Sequence, residues 1–331
     1  MLRFVVVRAL GALGVLVALV TVVFVLQTAV PGDPVRASVG VNASREVVEA
    51  ERNRLGLDRP LPVQYVSYLS QAVRGQFGES LRTGRDVRVD IGAFLPATLE
   101  LAAFSMLLAA LGGLLIGIVA VVWSRFAALA RLLFVAGASV PSFLLALIMV
   151  YVFYFKLAWL PLSGRTSITS APPGPTGLLL TDSLLHARLD VFVDAVRHLL
   201  LPGMALALVP AVAIGRVLRS SLVEVYRADY IRTLHAKGLT PRKVLWQHAL
   251  RNAASAPLTM AGLQLGLLLG GVVIVEAVFA WPGIGLYLNQ SIEFRDLRAI
   301  AGVTLVVGAG YVFVNTLVDL AQAAADPRIR L

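Results

Sequence analysis

Long runs of residues with almost no charged side chain constrain the fold of this chain most. The runs are Ala9–Val30, Leu101–Val122, Leu132–Phe155, Leu199–Gly215, Pro257–Ala280 and Ala299–Val318. A helix that crosses a bilayer core needs about 20 such residues. Hydrophobic residues make up 58% of the 331 residues and charged residues 15%, against about 45–50% and about 25% in a soluble domain. The sequence therefore predicts an all-α integral membrane protein with six transmembrane helices.

The sequence offers no catalytic or nucleotide-binding pattern. It contains no cysteine, which excludes disulfides and thiolate metal sites, and its four histidines have no metal-ligand spacing. No Gly-Lys dipeptide occurs, so the phosphate-binding loop GxxxxGK[ST] is absent. We expect a non-catalytic chain that binds no metal and no cofactor itself. Energy for any transport must come from an ion gradient or from another polypeptide.

The distribution of arginine and lysine predicts the orientation. Six helices place both termini on one side of the membrane, and a cytoplasmic N-terminus gives the inner segments 14 basic residues. The outer segments 156–198 and 281–298 then carry six, while segment 31–98 is too long for the positive-inside rule to count fully. Both termini are therefore expected in the cytoplasm. The net charge of +10 is assigned to this topology and to anionic lipid, and nucleic acid is not an expected partner.

The outer segment 31–98 is predicted to form a small helical insert. Ser44 is placed to cap one helix, Gly56 to end it, and Pro62 to begin a second helix. One face of the second helix is apolar, which indicates that it packs on another element. The insert is either a lid over the helix ends or a docking surface for an external partner. The later segment 156–198 is rich in Ser, Thr, Pro and Gly and predicts a flexible loop.

Residues 216–256 are the most informative stretch on the predicted cytoplasmic side. Apolar residues recur at three- and four-residue steps from Leu222 to Leu234, which predicts an amphipathic helix that ends at Gly238. Thr240 is placed to cap a second helix. Two such helices could lie on the bilayer surface. A glycine break followed by a new cap, however, suits insertion into a protein cleft better.

Two carboxylates lie in or near the predicted spans. Glu276 interrupts the fifth span, and Glu100 stands at the start of the second. Carboxylates inside a membrane are costly and usually face a bundle interior or an aqueous cavity. Glu276 is therefore a candidate for lining a translocation path or pairing with a partner helix, with a snorkelling or solvated position as the alternative. Glu100 is a second path candidate, although its place near the interface favours a solvated end residue.

Spans five and six also carry neutral polar residues and small residues. Gln264 and Asn315 are candidates for the path, although a hydrogen bond that bridges two helices is the simpler role. Gly262, Gly266 and Gly270 form a tandem GxxxG pattern, which lets another helix approach span five closely. The sequence thus predicts a closely packed bundle with few polar positions inside.

Several motifs follow one another along almost the whole chain. They are Pro31-Gly-Asp-Pro34, Leu55-Gly-Leu-Asp-Arg-Pro-Leu-Pro62, Leu95-Pro-Ala-Thr-Leu-Glu-Leu101, Asp229-Tyr-Ile-Arg-Thr-Leu-His-Ala-Lys-Gly-Leu-Thr240, His248-Ala-Leu-Arg-Asn252 and Val275-Glu-Ala-Val-Phe-Ala-Trp-Pro-Gly-Ile-Gly285. Together they resemble the motifs of ABC importer permeases, in particular those of the dipeptide/oligopeptide/nickel family. The stretch from Asp229 to Thr240 is similar to the EAA loop of that family.

The resemblance implies the fold of a type I ABC importer transmembrane domain. It implies a first transmembrane helix in residues 1–30, an external helical insert in 31–93 and a permease core in 94–320. The coupling loop would lie at 216–256 and a cytoplasmic tail at 321–331. The chain would be a transmembrane subunit of the first-permease kind, in the bacterial inner membrane.

The resemblance also implies partners and a site. The partners are a second homologous permease, two cytoplasmic ATP-binding subunits or one fused ATPase, an external solute-binding protein and membrane lipid, with ATP and Mg²⁺ held by the ATPase. The EAA loop would be the coupling helix that seats in a groove of the ATPase. Leu234 and His235 stand where small or basic residues are commoner in the family, which indicates a contact adapted to this chain's own partner. The residues implied to couple the subunits are Asp229, Tyr230, Ile231, Arg232, Thr233, Leu234, His235, Ala236, Lys237, Gly238 and Leu239.

The substrate and the energy source leave alternatives open. Within the family, di- and oligopeptides are the expected substrates, and nickel, glutathione and haem are the alternatives. From another class, the chain could be a secondary transporter driven by an ion gradient, but its spans lack the Asp/Glu/His chain of a proton relay. A membrane-embedded enzyme would need a convergent set of catalytic residues, which the sequence lacks.

Overall fold

Helices make up most of the computed structural model of the protein. The structure describes residues 2–29, 44–54, 56–126, 140–172 and 174–325, and the single residues 35, 128, 132, 134 and 137. Over these residues it contains no strand, only an isolated bridge between Glu79 and Asp86. The motif predicted at 31–34 and the end of the tail lie outside the described residues.

Thirteen α-helices and two π-helical segments are present in the described part of the chain. In chain order the α-helices are α1 (Leu2–Ala29), α2 (Arg45–Arg54), α3 (Leu61–Val73), α4 (Val87–Val122), α5 (Ser142–Met149), α6 (Leu179–Leu185), α7 (Leu189–Tyr226), α8 (Asp229–Ala236), α9 (Pro241–Lys243), α10 (Leu250–Ala253), α11 (Ser255–Val278), α12 (Ile284–Glu293) and α13 (Leu297–Ala325). The π-helical segment Val150–Lys156 continues α5, and the segment Val244–Ala249 joins α9 to α10.

Among the residues that the structure describes, five helices are long and apolar enough to cross a membrane. They are Val5–Ala29, Val87–Val122, Leu189–Tyr226, Ser255–Val278 and Leu297–Leu320. The third predicted span corresponds to the shorter apolar helix Ser142–Lys156, because most residues between 127 and 139 are outside the described part. An all-helical membrane protein with six hydrophobic segments is confirmed.

The fourth predicted span, Leu199–Gly215, was placed too narrowly. Helix α7 has 38 residues and contains Pro202 and Pro210. Both prolines are buried, as expected where neighbouring helices compensate for the backbone bond that a proline removes. The flexible loop predicted for 156–198 was wrong in part, since it contains α6 and the start of α7.

The chain divides into two compact units. The N-terminal unit contains residues 2–95 and 287–313, and the core unit contains residues 96–286 and 314–325. Within the core unit, α7 packs against α5, α6 and α11. A buried apolar cluster there joins residues of α4, α7 and α11, such as Leu101, Leu199 and Val272. Helix α7 is therefore the central element of the core unit.

The insert in the N-terminal unit has the two helices that its sequence predicts. The Ser44 hydroxyl accepts a hydrogen bond from the Val47 N–H at 3.4 Å at the start of α2, and Gly56 adopts a φ of +67° after it. Helix α3 packs on α1, where the hydroxyls of Thr21 and Tyr65 are 2.8 Å apart. The predicted apolar face of the second helix thus packs on α1, where Tyr65 and Tyr68 are half-buried and contact the ring of Phe24.

Helices α4 and α7 cross at glycines in the core unit. A Cβ on Gly113 would lie 2.9 Å from the carbonyl oxygen of Ala211 and 2.9 Å from Ile214. A Cβ on Gly215 would lie 3.0 Å from the carbonyl oxygen of Gly113. Real Cβ atoms do not approach other atoms so closely, so these positions hold the two backbones together because they lack side chains.

We predict that Gly113→Val destabilises the protein by about 1–3 kcal/mol, the usual cost of overpacking a closed interface. The measurement is the thermal unfolding midpoint of the purified protein in a mild detergent. Gly14→Val is the matched control, because it adds the same side chain to a membrane helix where a Cβ meets nothing within 4 Å. Equal midpoints for the two variants would contradict the close crossing of α4 and α7.

Candidate coupling and clamp sites

Helix α8 contains the first eight of the eleven residues implied to couple the chain to an ATPase. One face of this helix is held by the core unit. Ile231 is 2% exposed, Leu234 is half-buried, and the Tyr230 hydroxyl accepts a hydrogen bond from Asn252 Nδ2 at 2.9 Å. The single helix predicted from Leu222 to Leu234 was wrong, because α7 ends at Tyr226 and α8 starts after a break. This break turns α8 into a separate element.

No contact from the described part of the chain buries the opposite face of α8. Eight of the eleven implied coupling residues are exposed, all except Ile231, Leu234 and Leu239, and the exposed residues include Arg232, His235 and Lys237. Arg232 and Asp229 face each other at 4.0 Å, but both are so exposed that their attraction contributes little to stability. Helix α8 is thus anchored by one face and presents a basic, largely polar face outward.

Helix α8 ends abruptly, with Gly238 just after its C-terminus. The Gly238 N–H donates to the His235 carbonyl at 2.9 Å, and the Leu239 N–H donates to the Leu234 carbonyl at 3.2 Å. This is the pattern of a Schellman motif. Gly238 has a φ of +79°, a conformation that suits glycine and strains other residues.

The segment that follows Gly238 packs against the long helix α7 and so links α8 to it. Thr240 Oγ1 accepts from the Lys243 N–H at 3.4 Å, as its sequence predicts. Leu245 and Ala249 are buried in an apolar cluster with Leu218 and Leu222 of α7. A force on α8 would therefore be passed to a membrane helix through packed side chains.

Glu276 is the centre of a second site, a clamp formed by residues of α4, α11 and α12 in the core unit. The side chain is fully buried. Its carboxylate accepts hydrogen bonds from Thr98 Oγ1 at 2.6 Å, the Gly285 N–H at 2.6 Å and the Leu286 N–H at 3.2 Å. Gly285 and Leu286 are at the N-terminus of α12, where a negative charge is favourable. Glu276 therefore caps the next helix in the chain.

The turn between α11 and α12 is tied to the start of α4 in two further places. Trp281 Nε1 donates to the Ala97 carbonyl at 2.9 Å, and the Ile284 N–H donates to Thr98 Oγ1 at 2.8 Å. A Cβ on Gly283 would collide with the Glu276 carboxylate. The motif from Val275 to Gly285 is thus a compact hairpin around one buried carboxylate.

Glu100 is also buried rather than solvated, at 6% exposure. Its carboxylate accepts from Arg165 Nη2 and from the Leu180 N–H, both at 2.6 Å. Arg165 also donates to the Gly177 carbonyl at 3.1 Å. The interpretation of Glu100 as a solvated end residue was therefore wrong, and the residue fastens the segment between α5 and α7 to the start of α4.

The remaining predicted positions have few polar contacts. Gln264 Nε2 lies 3.7 Å from Met260 Sδ in its own helix, and Asn315 is half-buried. Gly262 lies against Val318, whereas a Cβ on Gly270 would meet nothing within 4 Å. The place of Gln264 and Asn315 on a translocation path, like that of Glu276 and Glu100, stays a prediction. Gly266 is buried in α11.

A buried network in the N-terminal unit has no counterpart in the sequence prediction. Asp90, Tyr287 and Asp296 are fully buried. The Tyr287 hydroxyl donates to Asp90 at 3.1 Å, and Ser80 Oγ donates to Asp296 at 2.6 Å. Burial raises the pKa of Tyr287 to about 12. Arg85 pairs with Asp90 at 2.8 Å, so this network fixes the first residues of α4 within its unit.

We predict that Thr98→Val loosens the clamp, because it removes a donor to buried Glu276 and the acceptor of the Ile284 N–H. Leaving buried polar groups unpaired costs about 1–3 kcal/mol. Hydrogen exchange of the purified protein, followed by mass spectrometry, should show faster exchange of the amides in 281–290.

Thr304→Val is the matched control for this measurement. Its hydroxyl donates to the Ile300 carbonyl one turn earlier in the same helix, so the same substitution there should leave exchange in 281–290 unchanged. If Thr98→Val also left that exchange unchanged, the clamp would not depend on these hydrogen bonds.

Two family profiles together match almost the whole chain. The family described as "Binding-protein-dependent transport system inner membrane component" matches residues 109–331. The family described as "Binding-prot-dependent transport system membrane comp, N-term" matches residues 1–102. Both α8 and the clamp turn fall within the first of these two matches.

Full-length relatives agree with the family profiles. The chain is 38% identical to the dipeptide transport system permease protein DppB of Alkalihalophilus pseudofirmus, over all of both chains. It is 42% identical to the di/tripeptide transport system permease protein DppB of Pseudomonas aeruginosa, over 93% of this chain and 92% of the relative. It is 36% identical to the glutathione transport system permease protein GsiC of Escherichia coli, over 100% of this chain and 99% of the relative.

Proposed function

The chain belongs to the family of binding-protein-dependent transport system inner membrane components, and from this we propose that it is a permease subunit of an ATP-driven ABC importer of di- and oligopeptides. The observation that carries the proposal is the identity to dipeptide permeases over the full length of the chain. The match includes both the N-terminal insert and the coupling loop. An ion-gradient-driven secondary transporter is not favoured by these comparisons.

The substrate class rests on the relatives. Two of them, at 38% and 42% identity, are named for transport of di- and tripeptides. A third, at 36% identity, is named for glutathione, which keeps glutathione as the alternative. Nickel and haem appear in none of these three names, so a peptide is the substrate we propose.

We propose that α8 is the coupling helix. Its exposed face would seat in a groove of a cytoplasmic ATP-binding subunit, with ATP and Mg²⁺ held by that subunit and no catalysis by this chain. ATP binding would bring the ATPase subunits together and move α8. Packing between the α8 region and α7 would pass the movement to the membrane helices, which would switch between inward- and outward-facing arrangements.

The proposed assembly follows from the same role. It contains this chain, a second homologous permease, two ATP-binding subunits or one fused ATPase, and an external solute-binding protein. We place both termini in the cytoplasm, because that orientation puts the basic residues of 216–256 on the inner side. The first helix and the insert then precede the permease core, and the insert faces the binding protein.

We predict that Gly238→Val uncouples ATP hydrolysis from uptake. Valine at a φ of +79° strains the backbone just after α8. Helix α8 should therefore transmit the movement of the ATPase subunits to α7 poorly. The measurement is binding-protein-dependent uptake of a radiolabelled dipeptide into proteoliposomes that contain the whole transporter, with ATP hydrolysis followed in parallel. Uptake per ATP hydrolysed should fall at least severalfold.

Gly75→Val is the matched control. Gly75 has a φ of +68°, and a Cβ there, as at Gly238, meets nothing within 4 Å, but it ends α3 in the insert. The control should keep the wild-type ratio of uptake to hydrolysis. A wild-type ratio in Gly238→Val would contradict the assignment of α8.

A further inference from the structure

A groove of about 720 Å³ lies in the core unit beside the coupling helix. Helix α7 contributes residues one turn apart, such as Ser221 and Glu224, and α11 contributes Thr259 and Leu263. Tyr230 of α8 and Asn252 complete it. Its volume is within the range of about 300–1,000 Å³ that small-molecule sites occupy, which is ample for a small peptide.

The groove is apolar at one end and polar at the other. Leu263 is two turns along α11 from the start of the helix at Ser255, so this end lies deeper along the spans and is apolar. The end near Tyr230 and Asn252 presents a hydroxyl and an amide. Helix rise places these ends about 10–12 Å apart. A short peptide has the same build, with polar termini and backbone beside apolar side chains.

Glu224 is the single charged residue among the described residues that line the groove. It is exposed, and none of the described residues forms a hydrogen bond or ion pair with its carboxylate. Residues 216–256 contain eight basic residues but only two acidic ones, and the other acid, Asp229, faces Arg232. An unpaired carboxylate in this basic setting offers a site for one cationic group.

One side of the groove is formed by α8, the helix that we propose moves with the ATPase. Tyr230 is on α8, and its hydroxyl is bonded to Asn252 at 2.9 Å. Any shift of α8 relative to α7 and α11 changes the shape of the groove. A ligand in it would therefore be bound or released in step with the coupling helix.

We propose that this groove is a peptide-binding station at the cytoplasmic end of the path, where Glu224 pairs with the N-terminal ammonium group of the peptide. Asn252 and the hydroxyls of Ser221 and Thr259 then supply hydrogen bonds to its backbone. The station rests on the proposed function, since it takes the same substrate class. It is distinct from the coupling contact, which uses the opposite face of α8.

The test is photo-cross-linking with the dipeptide alanyl-benzoylphenylalanine on the whole transporter in detergent, without ATP. Mass spectrometry should map labels to 217–225 or 252–263. Glu224→Gln should reduce this labelling about tenfold, the effect of losing one charge-assisted hydrogen bond, and Glu224→Asp should restore part of it. The N-acetylated dipeptide, which lacks the ammonium group, should label wild type as weakly as Glu224→Gln is labelled by the free dipeptide.

Glu49→Gln is the control for a carboxylate elsewhere, because Glu49 is exposed on α2; it should label as wild type does. Undiminished labelling in Glu224→Gln, or labels confined to other segments, would overturn the station. Uptake of labelled dialanine by wild-type proteoliposomes is measured alongside. Absence of that uptake would contradict the proposed function itself, whereas normal uptake with undiminished Glu224→Gln labelling would overturn the station alone.

Discussion

The absence of water in a bilayer core is the constraint on which this structure depends. Each backbone group that leaves a helix there needs a partner from the protein itself. The turn after α11 satisfies this need with one side chain, since Glu276 accepts from the backbone of Gly285 and Leu286. Thr98 serves both the carboxylate and the Ile284 N–H. A costly intramembrane carboxyl group is thus kept because it completes the hydrogen bonding of a helix start.

The proposed cytoplasmic side contrasts with this turn, because it contains a helix that few contacts hold in place. Helix α8 is held by few contacts, chiefly Ile231 and the bond between Tyr230 and Asn252, and its other face has no cover within the described chain. The segment that follows it is packed firmly against α7 through Leu245 and Ala249. A lever needs this combination of an uncovered end for a partner and a packed connection to the membrane helices.

The sequence predicted the apolar helices, the insert helices and the stop at Gly238, because these follow from local patterns of hydrophobicity, caps and glycine. It placed α7 too narrowly, since charged residues at both ends of that helix hide its length and two prolines suggest an end. It also missed the partners of Glu276 and Glu100. Thr98 and Arg165 are 178 and 65 residues away from them along the chain, and no local pattern encodes such pairs. The one local signal that could have suggested a capped hairpin is Glu276 followed within a few residues by the turn sequence Trp281-Pro-Gly283.

The most direct test of the account is a single-cysteine cross-link from α8. The chain contains no cysteine, so Ala236→Cys can carry one photoreactive maleimide in native membranes, with Val73→Cys, 82% exposed on the insert, as the control. If α8 is the coupling helix, position 236 cross-links to a P-loop ATPase subunit and position 73 does not. Recovery of the labelled chain without any ATPase, in membranes whose peptide uptake collapses when the ion gradient is removed, would contradict it.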